Sequence, residues 1–189
     1  SLTKRGKKVL VIDQNHKGSA TKVAAGGINP ITGKRYVKSW RFEELMPVAK
    51  KIYTELENLL KITVFTDRNI FRILKNAGEE NTWMGRSGDP LYSKYFVENP
   101  SVESFQKHLN KFPAVGEISR GGQVNISFLV EKYQDYLLEK EELINDNFDF
   151  TDLKIEKKIF YKNIEAEAVI FCEGAAAAKN PFFKYLPFE

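Results

Sequence analysis

Asp13 closes the apolar run Val9-Leu10-Val11-Ile12. A carboxylate at the end of a buried strand can accept both hydroxyls of an adenosine ribose. In a dinucleotide-binding βαβ unit that acid lies roughly 20 residues after a G-x-G-x-x-G turn, which seats a pyrophosphate on a helix N-terminus. Only 12 residues precede Asp13, so such a turn would fall ahead of Ser1. A strand-end acid also serves solubility, and this residue alone leaves both roles open. Other reactive types are sparse. His16 and His108 have no partner at metal-ligand spacing, so both are expected at the surface and no metal is expected. Cys172 ends the run from Ala168 and is expected as a small core residue rather than a reactive thiol. No nucleophile stands beside a base, and the catalytic residues are left unassigned.

The elements that must position these groups follow from pattern. Leu2, Lys4 and Arg5 suit the last turn of a helix that Gly6 stops. Val9 to Ile12 is expected as a buried strand of a parallel sheet. From Gly18 to Gly33 the residues are small, with Ala24-Ala25-Gly26-Gly27 at the centre, and small side chains let a backbone approach a helix or a ligand closely. Pro47 is expected to open a helix whose Val48, Ile52, Leu56, Leu59 and Leu60 share one face. Ile62 to Phe65 and Asn69 to Leu74 suggest a hairpin around Thr66-Asp67-Arg68. Val115 to Ser119 and Gln123 to Asn125 suggest another around Arg120-Gly121-Gly122, where the glycines are expected as a turn and not as a phosphate cradle. Apolar residues from Ile126 to Ile144 indicate the longest helix. Short strands are expected at Phe148 to Phe150, Lys154 to Glu156, Ile159 to Tyr161 and Ala166 to Cys172. This interleaving indicates an α/β chain carrying an inserted sheet.

Composition bounds the class. The 189 residues are 42% hydrophobic and 29% charged, which excludes disordered and collagen-like chains. A chain of this length needs no disulfide or metal to stabilise its core, and a single cysteine cannot form an internal disulfide. No apolar run approaches the roughly 20 residues of a membrane span, and no signal peptide opens the chain, so a cytoplasmic protein without membrane contact is expected. The net charge of +4 comes from lysines scattered among acids, as at Lys50-Lys51 near Glu55 and Glu57. A nucleic-acid footprint would be a clustered stripe, so nucleic acid is not the expected partner.

The segment from Val9 to Asp13, the turn Gly18-Ser19-Ala20-Thr21 and the stretch Ala24-Ala25-Gly26-Gly27-Ile28-Asn29-Pro30 together resemble the second strand and following loop of the D-amino-acid oxidase superfamily, which includes glycine oxidase-like enzymes. The resemblance continues through Pro30 to Arg35 and the Pro47 helix, and returns from Glu165 to Ala175 as a strand ending in a glycine near the cofactor. It covers both ends of the chain, with a weaker middle. It implies an incomplete Rossmann-like FAD-binding domain with part of an inserted antiparallel substrate-domain sheet. Residues 1–61 and 126–189 would form the FAD-binding part and 62–125 the substrate-binding part.

The resemblance further implies that Asp13 binds the adenosine ribose, that Ser19 and Thr21 face the phosphates, and that Ala25, Gly26 and Gly27 run beneath the isoalloxazine. Gly174 would approach the ribose and pyrophosphate, and a residue in 147–150 would offer its backbone to the adenine. Arg35, beside Tyr36, Trp40 and Arg41, would pair with a substrate carboxylate; an amphipathic surface strand is the competing account. The implied reaction is hydride transfer from an amine or amino acid to flavin. Missing motifs at either end suggest an excerpt of a longer flavoenzyme, holding FAD weakly or not at all by itself. Two other classes stay open: a non-catalytic nucleotide-binding or interaction module, and a flavin enzyme modifying a base in RNA. Substrate, electron acceptor and oligomeric state are not assigned.

Overall fold

A computed structural model describes residues 2–102 and 114–187. Packing divides the chain into two compact units, one of Ser1–Val23 with Gln134–Glu189 and one of Ala24–Tyr133.

In the first unit, Thr3–Arg5 forms one 3₁₀ turn, and Gly6 ends it at φ +73° with its N–H on the Thr3 carbonyl. Strand β1 (Val11–Ile12) then pairs in parallel with β8 (Leu143–Ile144), in the register Val11 to Leu143 and Ile12 to Ile144. The parallel direction agrees with the expectation, but the strand is shorter and only half-buried, and Leu10 is exposed. Among the described residues β8 is its sole neighbour, so it is not covered like a strand inside a large parallel sheet. A short helix, α1 (Ala20–Val23), follows.

The strands β9 (Leu153–Ile155), β10 (Ile159–Tyr161) and β11 (Ile164–Ala166) form an antiparallel meander with β10 in the centre. Two of the expected strands are absent from it. Phe148 and Phe150 spend their rings on packing: Phe148 stacks on Tyr161 at 4.3 Å, while Phe150 starts the 3₁₀ turn Phe150–Asp152. Asp149 accepts both the Thr151 N–H and its hydroxyl, which favours that turn over a ladder. Among the described residues beyond Ala166 none pairs in a strand, and Phe171 instead packs on Phe148 and Phe182, each at 5.9 Å. Cys172 is consequently exposed, not a core residue.

The second unit is built on one long strand. β7 (Ala114–Val124) pairs along its whole length with β5 (Phe65–Leu74), both antiparallel. Its other edge takes β2 (Gly27–Ile28) near one end and β6 (Phe96–Val97) further along. Neither expected hairpin forms, since Thr66-Asp67-Arg68 and Arg120-Gly121-Gly122 both lie inside continuous strands. The irregularity they signal is a bulge: the register slips between Arg68 and Ile70, opposite Arg120 at φ +62°. Gly121 is required there, because a Cβ would meet the Arg68 carbonyl oxygen at 2.8 Å and the Ile28 carbonyl oxygen at 3.0 Å.

A small hairpin, β3 (Ile31–Thr32) with β4 (Val37–Lys38), leads into α2 (Phe42–Leu60). Pro47 lies within α2 and does not open it. The helix starts earlier because the Arg41 carbonyl accepts the N–H groups of Glu44 and Leu45 at 3.1 and 2.9 Å. Its Val48, Ile52 and Leu59 are exposed, so their common face is not core, while Met46 is buried. The helix α3 (Ala77–Ser87) is capped by the Asn76 side chain on the Glu79 N–H. The last helix, α4 (Ile126–Glu139), is shorter than α2 and ends before Leu143, because that segment is committed to β8.

The unit's core gathers Ile31, Tyr36, Leu74, Trp83, Tyr95, Phe96 and Ile118. Trp83 sets its edge against Phe96 at 4.6 Å and against Tyr36 at 5.2 Å. Beside this core the Tyr95 hydroxyl donates to Glu43 Oε1 at 2.7 Å, and Lys38 and Lys94 reach the same oxygen at 2.9 and 3.1 Å. The hydroxyl and the two ammonium groups hold the Glu43 carboxyl well below the usual carboxylate range. Burial, and then the Glu43 carboxylate, push Tyr95 up to about 12. No helix among the described residues is long and apolar enough to cross a membrane.

Candidate functional site

The first unit holds Asp13, Ser19, Thr21 and Gly174. The β1 ladder continues into Asp13, whose N–H donates to the Ile144 carbonyl at 3.1 Å, so the carboxylate stands at the C-terminal edge of the parallel pair. One carboxylate oxygen accepts the Asn15 N–H at 2.7 Å; the other receives only a 3.4 Å contact from Gln134 Nε2. The side chain is exposed, and that second oxygen retains acceptor capacity.

Asn15, at φ +55°, in turn accepts a hydrogen bond from Lys22 of α1. The Ser19 carbonyl accepts the Lys22 and Val23 N–H groups at 3.0 and 3.2 Å and so starts α1, on which Thr21 is exposed. Gly174, at φ +57° with open space where a Cβ would stand, begins the 3₁₀ segment Gly174–Lys179. Buried Asn180 closes this segment, donating to Glu173 Oε2 at 2.6 Å and accepting the Phe182 N–H at 2.9 Å.

The second unit holds Ala25, Gly26, Gly27 and Arg35. The loop Ala24 to Ile28 is laid against the end of β7: the Gly26 carbonyl accepts the Val124 N–H at 2.9 Å, and Gly27 pairs with Gln123. Gly26 is indispensable, because at φ +68° a Cβ would lie 1.9 Å from the Val124 carbonyl oxygen. Gly27 faces open space. Alongside this loop runs a cleft of about 460 Å³, lined by Ala24 and Ala25, by Thr63, Val64, Thr66 and Arg68 on and before β5, and by Gln123 to Ser127 where β7 passes into α4.

Local bonds fix the cleft's walls. Glu57 Oε1, on the last turns of α2, accepts the Val64 and Phe65 N–H groups at 2.7 and 2.8 Å. The Asn125 N–H donates to the Val64 carbonyl at 2.9 Å, and its side-chain oxygen caps α4 at the Phe128 N–H.

Of the candidate residues in this unit, Ala25 lines the cleft, whereas Arg35 stands exposed on the turn between β3 and β4 and does not. Tyr36, Trp40 and Arg41 have separate roles: Tyr36 is core, Trp40 is exposed, and Arg41 pairs with Glu44. Sequence reading missed Arg68, whose segment looked like a turn, and Gln123, which was expected as an ordinary strand residue. The alternation that places Thr66 and Arg68 on one face of β5 was the available signal. His16 is exposed, His108 falls outside the described residues, and among the described residues no three of His, Cys, Asp and Glu are grouped to hold a metal.

No family model matches the sequence. The fold does have solved counterparts. Glycine oxidase from Geobacillus kaustophilus superposes with a TM-score of 0.67 at 17% identity, over 98% of this chain and 54% of that one. Iminodiacetate oxidase from Chelativorans sp. BNC1 gives a TM-score of 0.57 at 16% identity, over 88% and 48%. L-Amino acid deaminase from Proteus myxofaciens, solved in complex with anthranilate, gives 0.51 at 12% identity, over 75% and 33%. The chain spans about half or less of the length of these structures. What it shares with them is the fold, over part of their length.

Proposed function

We propose that the chain belongs to an FAD-dependent oxidoreductase that oxidises an amine or amino acid by hydride transfer to flavin, giving an imine that water hydrolyses. The observation that carries this reading is the match to glycine oxidase over nearly the whole chain. The residues present fit the cofactor. A ribose diol needs carboxylate lone pairs at a strand end, and Asp13 keeps one oxygen nearly free there. FAD, when bound, supplies the hydride acceptor.

The chain's own contribution is binding and orientation. Asp13 takes the ribose hydroxyls, with Ser19 and Thr21 on the phosphate side and Gly174 giving close backbone approach. Ala25, Gly26 and Gly27 would carry the backbone along the flavin ring, with the Val124 N–H on the Gly26 carbonyl tying that loop to β7. In this reading 1–61 and 126–189 serve a Rossmann-like FAD-binding domain and 62–125 serve the substrate. No protein base is required when the substrate amine arrives neutral.

The test is the visible spectrum of the full gene product. Oxidised-flavin absorption that bleaches anaerobically on adding an amino acid or amine is the expected result. A product that takes up no FAD, even when FAD is added in excess, would overturn the proposal.

A further inference from the structure

Asn180 is fully buried, yet the segment it closes buries little. The residues of Gly174–Lys179 are exposed except Ala177, which is half-buried. Alanine methyls at the surface fix nothing by packing, and 3₁₀ runs beyond three or four residues are uncommon. The shape of this six-residue run is therefore set from its ends. Before it, Phe171 packs on Phe182 at 5.9 Å and on Phe183 at 5.7 Å. After it, Asn180 Oδ1 accepts the Phe182 N–H at 2.9 Å and fixes the turn that carries those two rings. The same side chain sends its amide back across seven positions to Glu173 Oε2 at 2.6 Å, while its backbone N–H donates to the Ala177 carbonyl at 3.0 Å. A hydrogen bond to a carboxylate is of the stronger kind, and burial of Asn180 keeps water from replacing it. Glu173 and Asn180 thus form a clasp, and what it holds is a stretch of nearly bare backbone that begins at Gly174, φ +57°.

We infer that Asn180 is a positioning residue for the cofactor: by holding Glu173 it keeps the Gly174–Lys179 backbone in the shape that lets Gly174 come close to FAD. Neither residue of the clasp needs to touch the cofactor. The inference rests on the oxidoreductase reading, which puts Gly174 beside the ribose and pyrophosphate. A ligand that binds one shape of a loop has its affinity reduced in proportion to the fraction of molecules that hold that shape. Opening the clasp therefore weakens FAD binding although no contact to FAD is removed.

The test exchanges donor and acceptor. Asn180→Asp keeps the oxygen that caps Phe182 and sets a second carboxylate against Glu173, so the clasp opens. Adding Glu173→Gln returns a donor from the other side and closes it again. In the full gene product, titration of the apoprotein with FAD is followed by flavin fluorescence. Asn180→Asp is expected to raise Kd about ten- to hundredfold, the range set by one charge-assisted hydrogen bond, and the double variant to return within about threefold of wild type. Hydrogen exchange is expected to quicken at the Ala176 and Asn180 amides in Asn180→Asp alone, with the Asp13 amide unchanged. Should a carboxylate at this buried position unfold the protein, Glu173→Ala opens the clasp from its half-buried end and is expected to raise Kd to the same degree.

Faster exchange in the run with FAD affinity unchanged would overturn the inference and leave the oxidoreductase reading standing, because the clasp would then serve the loop alone. Affinity lost in Asn180→Asp and not regained in the double variant would overturn it as well, since the loss would not act through the bond. A wild-type product that takes up no FAD would remove the reading and the inference together.

Discussion

Glu57 offers the most direct test of how the cleft is held. One carboxylate oxygen accepts two consecutive N–H groups, those of Val64 and Phe65, at 2.7 and 2.8 Å, and so joins the end of α2 to the start of β5. Val64 is buried, so its amide is shielded from water. Glu57→Ala leaves two amides without their charged acceptor. With charge-assisted bonds worth about 1.5 to 3 kcal/mol each and partial rescue by water, a loss of about 2 to 4 kcal/mol follows. Glu57→Gln keeps an amide oxygen in nearly the same place and removes only the charge, for a loss of about 1 kcal/mol. Urea unfolding followed by Trp83 fluorescence measures both, and hydrogen exchange at the Val64 and Phe65 amides shows whether the effect is local. If both variants lie within about 0.5 kcal/mol of wild type, the two bonds do not hold this junction and the account of the cleft wall fails.

Four further outcomes are expected. The Tyr95 pKa is raised on folding, so the protonated hydroxyl stabilises the fold fully below pH 10 and that contribution is lost as pH rises through about 12; Tyr95→Phe should flatten the alkaline limb of a pH-dependent Tm series. The Glu43 pKa is lowered on folding, so its contribution is present above the ordinary carboxylate range and fades in acid; Glu43→Gln should make the acid limb shallower. Gly26→Ala should unfold the second unit or shift its Tm by many degrees, since the Cβ has no room beside Val124, and circular dichroism reads the loss. In the full gene product, Asp13→Ala should weaken FAD affinity about a hundredfold through two lost charge-assisted bonds, read by flavin titration.

What the sequence revealed depended on whether the determinant was local. The stop at Gly6 and the parallel strand ending at Asp13 follow from residues that act within a few positions, and both are present, whereas Gly26 makes its close approach to the Val124 carbonyl of β7 and not to a helix. The long strands β5 and β7 were obscured because their bulge carries turn-forming residues in both partners: Thr66-Asp67-Arg68 faces Arg120-Gly121-Gly122. Gly121 looks like a turn residue, yet it is needed because the Arg68 and Ile28 carbonyls crowd it from two neighbouring strands, and that crowding is invisible in one dimension. Pro47 misled for a similar reason. Its ring suits a first turn, but the Arg41 carbonyl had already begun the helix. The cleft was illegible because Ala25, Arg68 and Gln123 come from three distant segments.

The pairing of Gly27 with Gln123 has a temporal consequence. The glycine loop leaves the ribosome roughly a hundred positions ahead of its partner strand, so synthesis must proceed far past the loop before it can be fixed. β5 waits as well, since its ladder also needs β7. Closing contacts of such long sequence separation is slow compared with forming α2 or α3. The second unit should therefore assemble late and cooperatively around β7, and nascent chains stalled before residue 114 should remain sensitive to protease in the glycine loop.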